Sequence, residues 1–139
     1  MSVVLTDRGI AHDATPFAPL DEWTGAGGVD LPNSVDAAEV FARVRAAEAV
    51  RIAFPSFADG RGFTLARRLR QLGFAGRLRA AGHVLPDQYR HLRRAGFDDI
   101  AFDDAAAAAR FSAAVPDAVS ESYRQRLGFT TGVPVPPRP

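Results

Sequence analysis

Residues 50–81 read VRIAFPSFADGRGFTLARRLRQLGFAGRLRAA, and this stretch decides the fold class. Val50-Arg51-Ile52-Ala53-Phe54 is a short apolar run closed by Pro55, the pattern of a strand. The loop Ser56-Phe57-Ala58-Asp59-Gly60 leads into a segment whose apolar residues Phe63, Ala66, Leu69 and Leu72 recur at helical spacing. Gly73 followed by Phe74 ends that helix, because glycine accepts the left-handed cap and the next apolar residue folds back on the last turn. Arg77–Ala81 is a second strand. A strand, a helix and a strand at this spacing form a right-handed βαβ unit with parallel strands.

The unit repeats on both sides. Leu69-Arg70-Gln71-Leu72-Gly73-Phe74 returns as Leu92-Arg93-Arg94-Ala95-Gly96-Phe97, and Arg126-Leu127-Gly128-Phe129 is a further fragment. Pro86 opens a helix over Asp87–Ala95 that turns Tyr89 and Leu92 inward. Ile100-Ala101-Phe102 is a strand, Asp103 or Asp104 caps a helix over 105–114, and Pro116 ends it. Upstream, Val29–Leu31 is a strand and Asp36 caps a helix that starts at Ala37. About four βα units are too few for an eight-unit barrel of roughly 250 residues. The expected fold is α/β: a small open parallel sheet, half-barrel-like or flavodoxin-like.

The ends differ from the middle. Val3–Thr6, the turn Asp7-Arg8-Gly9 and Ile10–His12 read as an N-terminal hairpin. Residues 14–28 are rich in Pro and Gly and read as irregular, with Trp23 pinning them to the core. Residues 130–139 carry Pro134, Pro136, Pro137 and Pro139 and read as an extended, disordered tail. The expected organisation is a ribbon and irregular segment over 1–27, one α/β domain over 28–129, and the tail over 130–139.

Composition excludes more than it assigns. The chain has 139 residues, 47% hydrophobic and 24% charged, with a net charge of +1, as in one soluble domain. It contains no Cys, and its 17 basic residues are all Arg. That removes thiolate chemistry, Cys-ligated metal centres, Schiff-base lysines and the lysine of a phosphate-binding P-loop. With three His in all, no metal site is expected, and no flavin or nicotinamide motif calls for a cofactor. No stretch approaches the roughly 18 apolar residues of a membrane helix, and the N-terminus lacks a signal pattern. The expected location is the cytoplasm, away from membranes, while self-association is left open.

The small net charge hides an uneven distribution. Residues 1–60 hold 4 Arg against 9 acids, residues 61–94 hold 9 Arg against 1 acid, and residues 95–139 hold 4 Arg against 6 acids. The basic middle reads either as solvated helix faces or as a surface for an anionic partner. Nucleic acid is not favoured, because aromatics are not interleaved with these arginines as a stacking surface requires.

In open parallel sheets, ligands bind beyond the carboxyl ends of the strands, where helix N-termini offer free amides. The residues expected on that rim are Asp59, Gly60, Arg61 and Gly62 after one strand, and His83, Asp87 and Gln88 after the next. Two glycines let the backbone approach an anion, and Arg61 offers a forked donor. The structural alternative is a turn at Gly60 with Asp59 capping the helix or pairing with Arg61. His83 reads as a general base, an anion donor or a plain structural residue. Arg79 lies within a strand, so burial requires a carboxylate partner, with Asp59, Asp99 and Asp103 the candidates. No Ser/His/Asp nucleophile pattern appears, and no catalytic residue is assigned.

The run from Phe54-Pro55-Ser56-Phe57-Ala58-Asp59-Gly60-Arg61-Gly62-Phe63, through Leu72-Gly73-Phe74-Ala75-Gly76-Arg77-Leu78-Arg79-Ala80-Ala81-Gly82-His83-Val84-Leu85-Pro86-Asp87-Gln88, to Gly96-Phe97-Asp98-Asp99-Ile100-Ala101-Phe102 resembles the bacterial domain-of-unknown-function 934 family. The match is dense over residues 50–103. The present sequence has His83 where the family usually has Asp, and Ala95 where it often has Cys. Family members are often encoded beside the hemoprotein of assimilatory sulfite reductase and are described as oxidoreductases of sulfite reduction. The resemblance therefore implies an accessory or interaction protein of that process, with sulfite reductase or its electron donor as partner and a small oxyanion as ligand. The alternative is a small enzyme acting on an anionic substrate through Asp59, Arg61, His83 and Asp87.

Overall fold

A computed structural model describes residues 2–116 of the chain. The strands are β1 (Ser2–Thr6), β2 (Gly9–Asp13), β3 (Phe17–Pro19), β4 (Gly28–Leu31), β5 (Ala49–Phe54), β6 (Arg77–Gly82) and β7 (Asp99–Phe102). The helices α1 (Ala37–Val44), α2 (Arg61–Leu72), α3 (Tyr89–Ala95) and α4 (Ala105–Ala114) follow β4, β5, β6 and β7 in turn. These are the four expected βα units. All seven strands join one sheet in the order β2-β1-β7-β6-β5-β4-β3. Strands β3 to β7 are mutually parallel, while β1 runs antiparallel to both β2 and β7.

A flavodoxin-like sheet reverses its strand order and carries helices on both faces. Here each parallel strand adds beside its predecessor, so right-handed crossovers stack the helices on one face. The result is a curled, half-barrel sheet. Its curl follows from the chain itself. The edge strands β2 and β3 are joined by residues 14–16 alone, a link that spans at most about 14 Å. Seven flat strands would hold their edges about 29 Å apart at roughly 4.8 Å per strand. The sheet has to bend.

The helix side of the sheet is the core. Val29, Leu31, Val50, Ile52, Phe54, Leu78 and Ile100 are buried there against α1, α2 and α3. Phe54 is its centre, with ring centroids 5.2 Å from Phe63 and 5.7 Å from Phe97. The repeated helix endings form as the sequence implies. Gly73 and Gly96 adopt φ of 108° and 111°, and the amides of Phe74 and Phe97 return to the carbonyls of Leu69 and Leu92 at 2.9 and 3.1 Å. Asp36 and Asp104 cap α1 and α4 by accepting from the Glu39 and Ala107 amides at 3.0 and 2.8 Å.

Four local expectations change. Leu72 is left partly exposed at the end of α2, and Leu65 is buried instead, because α2 is flanked by both α1 and α3 and buries a broad face. The segment before α3 begins as a 3-10 turn over Pro86–Gln88. Residues 14–28 contain β3 and a 3-10 turn at Leu20–Glu22, so the N-terminal segment is an integral edge of the sheet. Arg79 pairs with Asp99 and Asp13; Asp59 turns to Arg61, and Asp103 is not a partner. Trp23 packs against the core and donates from Nε1 to the Ala26 carbonyl at 3.0 Å, as a pin would. The Arg126–Phe129 fragment and the proline-rich tail lie outside the described residues. Among the described residues, no helix is long and apolar enough to cross a membrane.

Candidate functional site

The loops after β5 and β6 lie side by side because the two strands pair in register to their ends, Phe54 opposite Gly82. The expected rim therefore exists, and its internal bonding decides what it can do. Asp59 accepts from the Arg61 amide at 3.1 Å, from Arg61 Nε at 3.0 Å, from Arg61 Nη2 at 2.7 Å and from Asn33 Nδ2 at 3.1 Å. Those bonds hold the Asp59 carboxyl below the usual carboxylate range, and Asp59 in turn raises the Arg61 pKa. Gln88 is a clamp between loops. Its Oε1 accepts from the Leu85 amide at 2.8 Å, and its Nε2 donates to the Phe57 carbonyl at 2.9 Å. His83 and Asp87 are exposed on the same rim, with no hydrogen bond to Arg61 or Asp59 among the described residues. The His83 amide donates to the Phe54 carbonyl at 2.7 Å.

The two glycines differ in kind. A Cβ at Gly62 would meet the Phe54 ring at 2.5 Å, so Gly62 lets α2 sit down on the core. Gly60 has φ of −82° and open space around it, so nothing steric demands glycine there.

The rim also carries apolar side chains. Phe57 is 54% exposed and Leu85 41% exposed, two of the four large hydrophobic residues standing in solvent among the described residues. Gln88 bonds the backbone at both positions.

The sequence did not disclose the inner, helix-free face of the sheet. There Asp30, Arg51, Arg79 and Asp99 stand directly opposite one another across β4, β5, β6 and β7. Adjacent arginines would repel, but each is neutralised on its outer side. Arg51 Nη2 donates to Asp30 at 2.9 Å, and Arg79 Nε donates to Asp99 at 2.8 Å. The Arg79 side chain is fully buried, with Asp13 of β2 held at 2.6 Å from its Nη2. Arg77 Nη1 also reaches Asp13, at 3.1 Å, and its Nη2 donates to Thr15 at 2.8 Å. Burial pushes the Asp13 carboxyl up, but bonds from Arg79, Arg77 and Thr15 outweigh it and hold the group below its usual range. Phe17 covers this row, its ring centre 4.4 Å from the Arg51 guanidinium carbon and 5.2 Å from that of Arg79. The absence of a Cβ at Gly28 makes room for that ring, which a Cβ would meet at 2.3 Å. Arg79 Nη1 is buried without a hydrogen-bond partner among the described residues.

A family model described as "Bacterial protein of unknown function (DUF934)" matches residues 28–132. The chain belongs to this family. No curated protein and no solved structure matches it. The DUF934 match starts at β4, so it contains the four βα units, the rim and the row Asp30–Arg51–Arg79–Asp99. The strands that supply Asp13 and Phe17 lie before it.

A cleft of about 380 Å³ opens at the other end of this DUF934 sheet, lined by Val4, Thr6, Asp7, Ala11, His12, Asp13, Arg77, Arg93, Asp98 and Asp99. Its charges are matched internally. Asp98 accepts from Arg70 at 2.8 Å and from the Leu78 amide at 3.0 Å, and Arg93 lies 3.6 Å from Asp7. Among the described residues, no group of three or more His, Cys, Asp or Glu could hold a metal ion.

Proposed function

We propose that this DUF934 protein is an accessory protein of assimilatory sulfite reduction that docks on sulfite reductase or its electron donor through the rim. The observation that carries the reading is the pair Phe57 and Leu85. Apolar side chains on loops normally cost solubility, and here the backbones that carry two of them are tied together by one glutamine side chain. Apolar anchors on a fixed backbone are what a protein interface uses, because little loop freedom is lost on docking. The resemblance supplies the identity of the partner through its association with the sulfite reductase hemoprotein.

An independent enzyme is favoured less. General acid–base work needs a titratable group with reactive atoms left over for a substrate. Asp59 spends both carboxylate oxygens on Arg61 and Asn33. The exposed His83 and Asp87 make no hydrogen bond to Asp59 or Arg61 among the described residues, so the four are not joined into one site. A small oxyanion is then a secondary ligand, met by the outward edge of Arg61, which is 62% exposed.

The test is recovery of tagged protein from cells grown on sulfate as sole sulfur source. Wild type is expected to bring down sulfite reductase or its electron donor, and Phe57→Ser/Leu85→Ser to bring down neither. Recovery of unrelated proteins alone, with unchanged sulfite reduction in a deletion strain, contradicts the reading.

A further inference from the structure

Arginines on this fold divide by place. Arg51, Arg77, Arg79 and Arg93 on the sheet and at the α3 end, and Arg70 at the α2 end, each bond a carboxylate or a backbone carbonyl. On the outward faces of α2 and α3 the pattern reverses. Arg67, Arg68 and Arg94 are exposed and pair with no carboxylate among the described residues. His91 lies among them, stacked on Phe63 with ring centroids 4.0 Å apart and planes 6° from parallel. Burial first, then the charges of Arg67 and Arg94, holds the His91 imidazole below its ordinary pKa. Charges from two helices thus meet at one ring, and among the described residues no carboxylate pairs with Arg67, Arg68 or Arg94. Segment 61–94 contains a single acid, Asp87, and it lies on the rim.

Like charges gathered without counter-charges repel one another and oppose the compact state. Among the described residues no carboxylate pairs with Arg67, Arg68 or Arg94, and a partner can supply one. This field is also continuous with the rim. Arg61 starts α2 on the rim, and Arg67, six residues on, lies about 9 Å further along the helix at 1.5 Å per residue. Arg67 and the rim at Arg61 therefore lie within the span of one standard interface, roughly 800 Å² per partner.

We propose that the outward faces of α2 and α3 dock an acidic protein surface, whose carboxylates meet Arg67, Arg68 and Arg94 beside a socket for Phe57 and Leu85. The inference rests on the rim-docking reading and adds the chemistry of the partner. Nucleic acid matches the charge less well in context. A stacking surface interleaves several open rings with its arginines, whereas of the two rings stacked here Phe63 is buried and His91 alone is exposed. Complementary charge acts mainly by steering association, so its mark is a salt-dependent on-rate, whereas apolar anchors act on the off-rate.

The experiment measures binding of the purified full chain to purified sulfite reductase, and separately to its electron donor, at 20, 150 and 500 mM salt. For one of them the on-rate is expected to fall at least tenfold across that range. Arg67→Glu/Arg94→Glu, both on exposed positions, should lower the on-rate tenfold or more at 20 mM salt with thermal melting no lower than wild type's. Phe57→Ser/Leu85→Ser should raise the off-rate and leave the salt dependence in place. If the charge-reversed chain binds as wild type does, the acidic-partner proposal is overturned while rim docking stands. If neither enzyme binds, the rim reading fails, and poly-L-glutamate and a 20-base-pair duplex DNA decide the surface. Retention on polyglutamate that is lost in the charge-reversed chain supports an acidic protein partner. Tighter binding to the duplex, salt-sensitive self-association of the chain, or binding to neither probe overturns it.

Discussion

Replacing Arg79 with methionine keeps most of the side-chain volume and removes the charge. The Arg79 side chain is 0% exposed and donates three bonds to carboxylates, two to Asp99 at 2.8 and 3.1 Å and one to Asp13 at 2.6 Å. The two acids fare differently without it. Asp13 keeps Arg77 and Thr15 and is 21% exposed, so water relieves part of its loss. Asp99 is buried and, among the described residues, retains no side-chain cation. Breaking a buried ion pair from one side costs about 3–5 kcal/mol, mostly through the charge left behind. With a urea slope of about 1.5 kcal/mol per molar, the unfolding midpoint should drop by about 2–3 M. Removing both charges, as Arg79→Met/Asp99→Leu, should recover most of that loss, since an apolar pair of similar volume is often as stable as the buried ion pair. The double-mutant cycle should give a coupling of about 2 kcal/mol or more. A single-variant loss below about 1 kcal/mol, or additive effects in the cycle, refutes the reading that Arg79 ties β6 to β7 and β2 through Asp99 and Asp13.

Further outcomes follow from the same geometry. Asp13 and Asp59 are held below the usual carboxylate range in the folded chain, so their contribution is present above the unfolded value near pH 4 and is lost as pH falls below it. Urea stability measured from pH 7 to pH 3 should therefore fall more steeply for wild type than for Asp13→Asn, and equal slopes contradict the assignment. Gly62→Ala places a methyl 2.5 Å from the Phe54 ring and should cost about 1–3 kcal/mol of stability, whereas Gly60→Ala should be close to neutral; equal effects in thermal melts contradict the packing argument. Asp59→Asn releases Arg61 from its carboxylate and should strengthen binding of sulfite or sulfate about tenfold, the value of one charge-assisted contact. Calorimetry that finds no gain removes Arg61 as an anion donor.

The parts of the fold carried by local signals were legible in the sequence. Gly73-Phe74 and Gly96-Phe97 mark their helix ends wherever they occur, and Asp36 and Asp104 cap because an aspartate before an apolar helical run has few better uses. The rim was legible too, since strand order along the chain fixes which loops become neighbours. Its chemistry was less so, because the choice between Asp59 as partner of Arg61 and Arg61 as free donor depends on side-chain geometry. The inner face was the least legible. Asp13 and Arg79 are separated by 66 positions and meet only because a three-residue link forces the sheet to curl. A weaker signal did exist: Asp30, Arg51, Arg79 and Asp99 each place one charge at an inward position of a strand, and Arg77-x-Arg79 repeats it two residues apart. Reading that row requires the register between strands, which periodicity alone does not supply.

On the reading proposed above, a sulfite-reducing partner docks on the rim at the carboxyl ends of β5 and β6. Hydrogen exchange of the full chain, alone and with purified sulfite reductase or its electron donor, tests it most directly. Backbone amides over residues 55–62 and 83–90 are predicted to gain protection on addition of the partner, while those at Thr6, Asp98 and Asp99 at the opposite end of the sheet stay unchanged. Protection at that opposite end with an unchanged rim, or no protection anywhere at saturating partner, would contradict the account.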